Sequence, residues 1–375
     1  MASTLQLVID GSPADDDLYA AISSLEVEEN ADLPDAIQFN LPVNRTEKGD
    51  LTYVGDDRLG PFANIAVVAQ PDAADQQCIF DGYVLSQKLH LETGTTASRL
   101  QIWGQDASWL MNLDEKTREW VDVRDADVAN SIFEDYGFEP AQENSSDDSP
   151  THTEDGHSLM QRGTDIQFLR SLARRNGKLC RVACTDRAGR RTGYFTKPDL
   201  DGDPVVTLIL NHPELRTVDQ LDIEWDVTRP SQVRARQALF TDSDEDGVSA
   251  ETADSGLDLL DQQGLSDFAT RSMTVLLTAP AVDDGGELML RAQSLLRETD
   301  WFVRCHGEAD VARLGAILRV GAVVAIEDIG SLHSGKYFVW SVRHTLTVEA
   351  HRMRFVLVRN AVGSPPSGGL LGGLL

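Results

Sequence analysis

The chain has 375 residues, of which 41% are hydrophobic and 25% charged, a composition that indicates two or three folded domains and excludes a largely disordered protein. Its 61 acidic residues outnumber its 33 basic residues, so the net charge is -28. Because nucleic acids and anionic lipid surfaces attract basic proteins, this charge excludes both as general partners.

The sequence shows neither a secretion signal nor a membrane-spanning segment. Its N-terminus lacks a basic region followed by an apolar run. The longest apolar stretch, Leu314 to Ile326, contains Arg319 and is too short to cross a bilayer. We therefore expect no membrane insertion by this chain.

The first part of the chain predicts short β-strands. Apolar residues alternate along Leu5–Ile9 and Ile37–Leu41, and Ile65–Val68 is a further apolar run. Tyr83–Leu91 and Arg99–Trp103 follow as two strands joined by a turn-rich segment. Many short strands separated by turns are typical of a barrel or sandwich.

The period becomes helical in the middle of the chain. Val128–Gly137 has the apolar spacing of one helix. A second helix is predicted to begin at Asp165, as its N-cap, and to end at Gly177. Strands are expected at Cys180–Ala183 and Gly193–Phe195.

The second half again predicts mainly strands. Val205–Leu210 and Leu221–Trp225 are the first two, and Val233–Leu239 is expected to continue their sheet. Leu288–Glu298 has helical spacing. The predicted final strands are Val323–Ile326, Tyr337–Val342, Thr345–Val348 and Arg354–Val358.

These elements predict an α+β, mainly β fold, with two similar β-barrel domains, an intervening mixed α/β segment and a helical insertion. The predicted divisions are a first barrel at 1–113, a mixed α/β connecting domain at 114–200, a second barrel at 201–240 and 302–362, an insertion with an acidic loop and a helix at 241–301, and a flexible Gly/Leu tail at 363–375.

Two predicted hairpins resemble each other. Gly82–Leu91 is followed by Arg99–Gly104, and Gly335–Leu346 is followed by Met353–Val358. Each begins at a glycine after a polar turn and continues through alternating apolar residues. Any two amphipathic hairpins share this pattern; if the likeness is more than that, the chain holds two similar barrels, and three chains would place six similar units around one axis.

The sequence predicts no catalytic set and no cofactor. None of the eight histidines lies in a metalloprotease motif or beside a nucleophile motif. The four cysteines form no C-x-x-C pair, and we predict buried free thiols. One calcium candidate remains at Asp242, Asp244 and Asp246, but its twelfth loop position is Ala253 instead of a bidentate Glu, and an acidic solvated loop is the alternative.

Two further segments are candidates for protein contacts. A basic island comprises Arg170, Arg174, Arg175, Lys178, Arg181, Arg187, Arg190 and Arg191. In so acidic a chain, we predict that its arginines 170, 174, 175, 190 and 191 meet an acidic patch on a neighbouring subunit. The terminal residues Leu370, Leu371, Leu374 and Leu375 belong to a Gly-Leu tail that either is disordered or docks onto a partner.

Three stretches, which follow one another in the same order as in the family, resemble the late control protein D family. The strongest likeness is Gly163–Gly177, with an Asp, Phe-Leu, Leu-Ala and a closing Gly. The second likeness lies earlier in the chain, at Tyr83–Gly104 followed by Asp106, Leu110 and a helix that ends in Tyr-Gly. The third runs from Leu318 through Ser334–Val339 and His344 to Asn360.

The resemblance implies a structural hub of a contractile injection system baseplate, in a phage tail or a type VI-like particle, and no enzyme activity. It implies a homotrimer that joins a hexameric tail tube, through the first barrel, to a separate spike protein, with other baseplate proteins around it. A component of an injection particle needs no secretion signal, so an extracellular destination stays open, and the predicted free thiols fit assembly in the reducing cytoplasm. Two alternatives of other classes remain: a glycan hydrolase at the tail tip and a calcium-dependent surface-binding β-protein.

Overall fold

The computed structural model describes residues 4–71, 75–93, 98–145, 149, 151–154, 158–212, 214–237, 248–268, 271–278, 282 and 285–363. Strands predominate, as the predicted fold class requires. The first region contains β1 (Thr4–Ile9), β2 (Ser12–Pro13), α1 (Asp16–Ala21), β3 (Leu25–Asn30), β4 (Ala36–Pro42), β5 (Asn64–Gln70), β6 (Gln77–His90) and β7 (Arg99–Asp106).

A mixed α/β segment follows. Its elements are β8 (Glu115–Trp120), α2 (Asp125–Asp135), β9 (Glu139–Pro140), β10 (Leu159–Thr164), α3 (Asp165–Arg175), β11 (Leu179–Cys184) and β12 (Arg191–Thr196). Short 3₁₀ turns lie at Asp57–Leu59, Ala107–Asn112 and Gln142–Ser145.

The last region returns to β structure with helices between the strands. Its elements are β13 (Thr207–Ile209), β14 (Val218–Trp225), β15 (Gln232–Gln237), β16 (Val248–Thr252), β17 (Gln263–Gly264), α4 (Leu265–Phe268), β18 (Thr274–Leu277), α5 (Gly285–Thr299), β19 (Val303–Asp310), α6 (Val311–Leu314), β20 (Val323–Glu327), β21 (Gly335–Leu346), β22 (His351–Arg359) and β23 (Ala361–Val362).

The chain contains two β units with the same strand order. The first unit is ordered β3-β4-β7-β6-β5, and the second is ordered β14-β19-β22-β21-β20. If the five strands of each unit are numbered in chain order, their order across the sheet is first, second, fifth, fourth, third in both units. The likeness of the two predicted hairpins, β6–β7 and β21–β22, therefore extends to the complete five-stranded units.

The two units also share an irregularity in their long strands. Pairing between β6 and β7 shifts between Val84 and Ser86, and pairing between β21 and β22 shifts between Val339 and Ser341. Each bulge therefore lies at the middle residue of a Val-x-Ser sequence, Leu85 in one and Trp340 in the other. Because a bulge increases local twist and bends its strand, the two long strands bend at equivalent points.

Strand pairing joins the two units. Along β21, Ser341–Leu346 pairs antiparallel with β3, and this contact links the units in one 13-stranded sheet. The largest apolar cluster contains buried residues from both units, including Leu25, Phe39, Val342 and Phe355. The separate domain boundaries predicted from the sequence stay a prediction.

Strand β15 pairs with β16 and β18 in a separate three-stranded sheet, whereas the sequence pattern predicted that Val233–Leu239 continues the second unit. The reason is packing. Val233 and Ala235 are buried against Leu288 and Ala292 of α5, so the apolar face of this strand is covered by the insertion helix.

The N-cap of α3 is Thr164, where the sequence predicted Asp165. The hydroxyl of Thr164 accepts a hydrogen bond from the Gln167 amide, and the Gln167 side chain accepts one from the Thr164 amide, which completes a capping box. Asp165 is the first helical residue, and its buried carboxylate is directed to partners in neighbouring elements. The helix ends as predicted, with Gly177 at φ +59°.

Within the described ranges, no helix is both long enough and apolar enough to span a membrane.

Candidate assembly surfaces

The basic island lies on the C-terminal half of α3 and on the β11–β12 hairpin. Two of its arginines are exposed and paired with carboxylates of this chain. Arg174 lies 3.2 Å from Asp32, and Arg190 lies 3.0 Å from Glu139. Hydrogen bonding to Glu139 raises the pKa of Arg190. Both guanidinium groups remain accessible to a partner, because their side chains are 61% and 43% exposed.

The other predicted arginines point more inward. Arg191 bonds the buried Asp81 at 2.7 Å, and Arg175 lies 3.7 Å from the buried Asp125. Arg170 is half-buried on α3, and its Nε has no hydrogen-bond partner among the described residues. The island is therefore not one uniform cationic face, and Arg174 and Arg190 are its best candidates for an intersubunit contact.

Asp165, a residue of the D-family-like stretch, connects the elements of the mixed α/β segment. Its carboxylate accepts hydrogen bonds from Lys116 of β8, from the Tyr136 hydroxyl at 2.7 Å and from the Gln161 side chain at 2.6 Å. Burial works to raise the pKa of Asp165, but these donors outweigh it and lower the pKa. A carboxylate held in this way has a structural role, because all the groups around it belong to the fold.

Asp125 forms a second buried carboxylate centre, at the start of α2. It receives a hydrogen bond from Asn176 at 2.6 Å and contacts His152 Nε2 at 2.6 Å. Asn176 also closes α3 as its C-cap residue. The Asn-Gly pair that the sequence predicted to end α3 therefore also links α3 to α2.

Two buried aspartates, Asp35 and Asp106, form a carboxylate pair. Asp35 accepts a hydrogen bond from the Asn30 amide at 2.9 Å, and Asp106 accepts one from the Ser108 amide at 2.7 Å and another from the Asp35 amide. Burial, together with the neighbouring Asp106, raises the pKa of Asp35 well above its usual range. A glycosidase needs two carboxylates that reach substrate, whereas these two are buried and hold backbone.

The contact between the two β units contains four polar side chains that we name the seam cluster: Glu29, Arg319, His344 and His351. Glu29 of β3 is fully buried and bonds Arg319 Nε at 2.8 Å and His344 Nε2 at 3.1 Å. His344 Nδ1 lies 3.0 Å from His351 Nε2. His344 therefore lies between Glu29 and His351, with one ring nitrogen within hydrogen-bond distance of each.

The seam cluster contains an ion pair between Glu29 and Arg319. Burial works to raise the pKa of Glu29, but Arg319 and His344 outweigh it and lower the pKa to about 2. Burial, and then the neighbouring His344, lower the pKa of His351 to about 3. At neutral pH the cluster therefore holds an ionised Glu29 beside a cationic Arg319, and His351 is neutral.

We expect His351 to make the protein less stable in mild acid. Its pKa is about 3 when folded and 6.5 when unfolded, so only the unfolded state binds a proton as pH falls through this window. Its contribution is complete above pH 6.5 and declines by about 1.4 kcal/mol per pH unit below it. Urea unfolding should therefore show that His351→Gln loses about 2 kcal/mol less than the wild type between pH 7 and pH 5. Equal losses in the two proteins would contradict this assignment.

The described residues offer neither a reactive cysteine nor a cluster of metal ligands. All four cysteines are buried and free. Burial raises the pKa of Cys180 and Cys305 to about 12, so neither is a thiolate at neutral pH. Among the described residues, no group of three His, Cys, Asp or Glu side chains could hold a metal ion. The calcium candidates Asp242, Asp244 and Asp246 lie outside those residues, as do the tail residues Leu370, Leu371, Leu374 and Leu375.

Sequence reasoning missed β3 and with it the seam cluster. Glu29 and its partner His344 are far apart along the chain, so no local pattern connects them. A weak signal was present: Leu25-Glu26-Val27-Glu28 in β3 has the same character as Leu221-Asp222-Ile223-Glu224 in β14. Four residues are too few to separate such a likeness from ordinary strand alternation.

Solved structures with a similar fold come from tail proteins. The tail protein of Neisseria meningitidis MC58 matches with a TM-score of 0.66 and 15% identity, covering 97% of this chain and 99% of that one. The 43 kDa tail protein of prophage MuSo2 from Shewanella oneidensis matches with a TM-score of 0.64 and 12% identity, covering 96% and 100%.

A third similar structure belongs to a secretion system. It is the E. coli c3393 protein, described as a component of the type VI secretion system with structural similarity to T4 bacteriophage tail proteins. It matches with a TM-score of 0.55 and 12% identity, covering 96% of this chain and 79% of that one. At these identities the likeness shows the fold.

No curated protein matches the sequence. The model of one protein family, described as the Alg8 N-terminal domain, matches residues 2–348. That model differs from the late control protein D family that the motifs resemble. Because the match extends over most of the chain, the chain belongs to the Alg8 N-terminal domain family.

Proposed function

We propose that this chain is a structural, non-enzymatic hub of a contractile injection system baseplate, of the late control protein D type. Three copies form a ring between a hexameric tail tube and a separate spike protein, with other baseplate proteins around it. The particle is a phage tail or a related injection machine, assembled in the cytoplasm. The carrying observation is the end-to-end likeness to a tail protein, over 97% of this chain and 99% of the other.

The repeated β unit supports the trimeric part of the proposal. Each chain carries two units of the same strand order, so a ring of three chains presents six similar units. Six similar units match the symmetry of a hexameric tube, while the chains themselves match a three-fold spike. In this arrangement the region 1–113 docks on the tube.

The proposal is tested by measuring mass in solution, for the chain alone and with the tube and spike subunits encoded beside its gene. We expect three copies of the 41.1 kDa chain in each particle, either alone or once spike is added, and in the second case the mass of the spike adds to theirs. Light scattering coupled to size exclusion gives the value directly. A stable monomer that ignores both partners would overturn the hub function and leave only the fold likeness.

A second expected result concerns the basic island. Reversing the charge of the exposed Arg174 and Arg190 together, to Glu, should weaken assembly while leaving the free energy of unfolding nearly unchanged, because exposed ion pairs contribute little to stability. Sedimentation measures the assembly and urea unfolding the stability. Reversal of Arg313, whose exposed ion pair with Asp219 lies outside the island, is the matched control. Unchanged assembly in R174E/R190E would remove the island from the interface.

A further inference from the structure

Two strand edges of the large sheet are open in the part of the chain that the structure describes. Strand β14 pairs with β19 on one side only. Along β6, pairing with β5 ends at Tyr83, so Ser86–His90 pairs only with β7. An open edge presents unpaired backbone N–H and C=O groups and is a ready template for another strand.

The counterparts of these two open edges are already paired with each other within this chain. In the common strand order, β14 corresponds to β3, and β6 corresponds to β21. Strand β3 pairs with the second half of β21, beyond the bulge. The contact that links the two units within one chain is therefore made by the counterparts of the two edges that stand open.

The pairing registers determine which residues are equivalent. The bulges align Val84 with Val339, which places Lys88 at the position of Arg343. Following the pairs from β22 through β19 to β14, and from β7 through β4 to β3, places Glu224 at the position of Glu28. The short likeness between the two strands, Leu-Glu-Val-Glu and Leu-Asp-Ile-Glu, falls in this same register.

We propose that β14 of one copy pairs antiparallel with Ser86–Leu91 of a second copy. The pairing deepens the proposed hub function and rests on it, because it is the contact that closes the ring. By analogy with β3 and β21, the facing residues are Lys88 with Glu224, Leu89 with Ile223, His90 with Asp222, and Leu91 with Leu221.

The side chains fit this register on both faces. On the outer face Lys88 meets Glu224, as Arg343 meets Glu28 at 2.6 Å within the chain. On the inner face Leu89 and Leu91, which are 39% and 57% exposed, would be covered by the apolar side of β14. Opposite charges and apolar pairs placed directly across a strand pair both stabilise it.

This contact is head-to-tail, because each copy offers β14 to one neighbour and β6 to the other. A head-to-tail contact forms a ring when the rotation closes. In the ring, contacts of β3 with β21 inside a chain alternate with contacts of β14 with β6 between chains. Three copies then form six equivalent junctions, and a second copy of this chain is the occupant of each open edge.

Paired cysteines test the register. In the full-length chain, K88C/E224C places two thiols on opposite edges of one copy but directly across the proposed contact, where facing Cβ atoms lie about 5 Å apart. Under mild oxidation we expect disulfide-linked dimers and trimers on a non-reducing gel, with no larger species. The single variants K88C and E224C should give no linked trimer.

The matched control is E28C/R343C, the equivalent pair inside one chain. It should form its disulfide within the monomer band and give no linked oligomer. A wild-type trimer in which K88C/E224C does not cross-link would overturn the pairing and leave the hub function intact. A chain that is monomeric with and without tube and spike would overturn both.

Charge exchange distinguishes a specific pairing from random contact. K88E and E224K should each weaken self-association about tenfold, because like charges then face each other across the strands. The combined K88E/E224K variant restores opposite charges and should recover most of that loss. No recovery in the combined variant would argue that the two residues do not face each other.

Discussion

Replacing Glu29 with Gln should lower the free energy of unfolding by about 3–5 kcal/mol, which is the cost of leaving a buried cation without its partner. Glu29 is fully buried and bonds Arg319 at 2.8 and 3.0 Å. The substitution keeps the shape of the side chain but removes the carboxylate, whose charge compensates Arg319 and whose oxygen lies within hydrogen-bond distance of His344. Urea unfolding at neutral pH measures the loss.

The neighbouring residue supplies the control for this prediction. Glu28 is on the same strand, its side chain is 42% exposed, and it pairs with Arg343 at 2.6 Å. Glu28→Gln should lose less than about 1 kcal/mol, because water already screens that pair. If Glu29→Gln loses no more than Glu28→Gln, the seam cluster does not hold the two units together.

The pH dependence of the Glu29 effect has a definite sign. The pKa of Glu29 is about 2 in the folded state and 4.5 when unperturbed, so its contribution is complete above pH 4.5 and is lost as pH falls toward 2. The difference between wild type and Glu29→Gln should therefore shrink in that window. This window lies mostly below the range in which the His351 prediction is measured.

Asp165→Asn should be the second large loss, at about 3 kcal/mol. The side chain of Asp165 is 2% exposed and accepts from three donors on different elements. An amide presents its own N–H groups to those donors, so it leaves at least one of them unsatisfied. We expect the far-ultraviolet spectrum to persist while the unfolding midpoint falls.

Asp127→Asn is the matched control for Asp165→Asn. Asp127 also lies in the first turn of a helix, but its side chain is 48% exposed and its partner Arg124 lies 3.3 Å away. Its loss should stay below about 1 kcal/mol, in line with other exposed pairs and first-turn carboxylates. Equal losses at the two positions would mean that Asp165 contributes as a helix-terminus charge and not as a buried centre.

Local patterns in the sequence predicted the three longest helices, many of the strands and the likeness of the two hairpins, but missed β3, β8, β10 and β19. They succeeded where the signal is periodic, as in Leu221–Trp225 and in α3. They failed where tertiary contacts decide. Both Thr164 and Asp165 suit an N-cap, and only the position of Lys116 and Tyr136 shows why Asp165 is turned inward.

The assembly contacts were harder to predict for a physical reason. The basic island stands out in an acidic sequence, yet two of its five candidate arginines, Arg175 and Arg191, pair with buried carboxylates that the sequence does not distinguish from the many exposed ones. Neither Lys88 nor Glu224 stands out in the sequence. Their correspondence to Arg343 and Glu28 is visible only when the two five-stranded units are aligned through their pairing registers.

The pairing of β3 with β21 also bears on how the chain is made. Leu25 and Leu346 face each other, so a ribosome must synthesise roughly 300 further residues before β3 meets its partner, and contacts so distant in sequence form late. During that interval the edge of β3 is exposed to other nascent chains. Glu26 and Glu28 lie on the outward face of β3, so β3 strands of two different chains repel each other before β21 is synthesised. We expect this charge to disfavour pairing between the β3 strands of different nascent chains, whereas in the folded chain Glu28 is paired with Arg343.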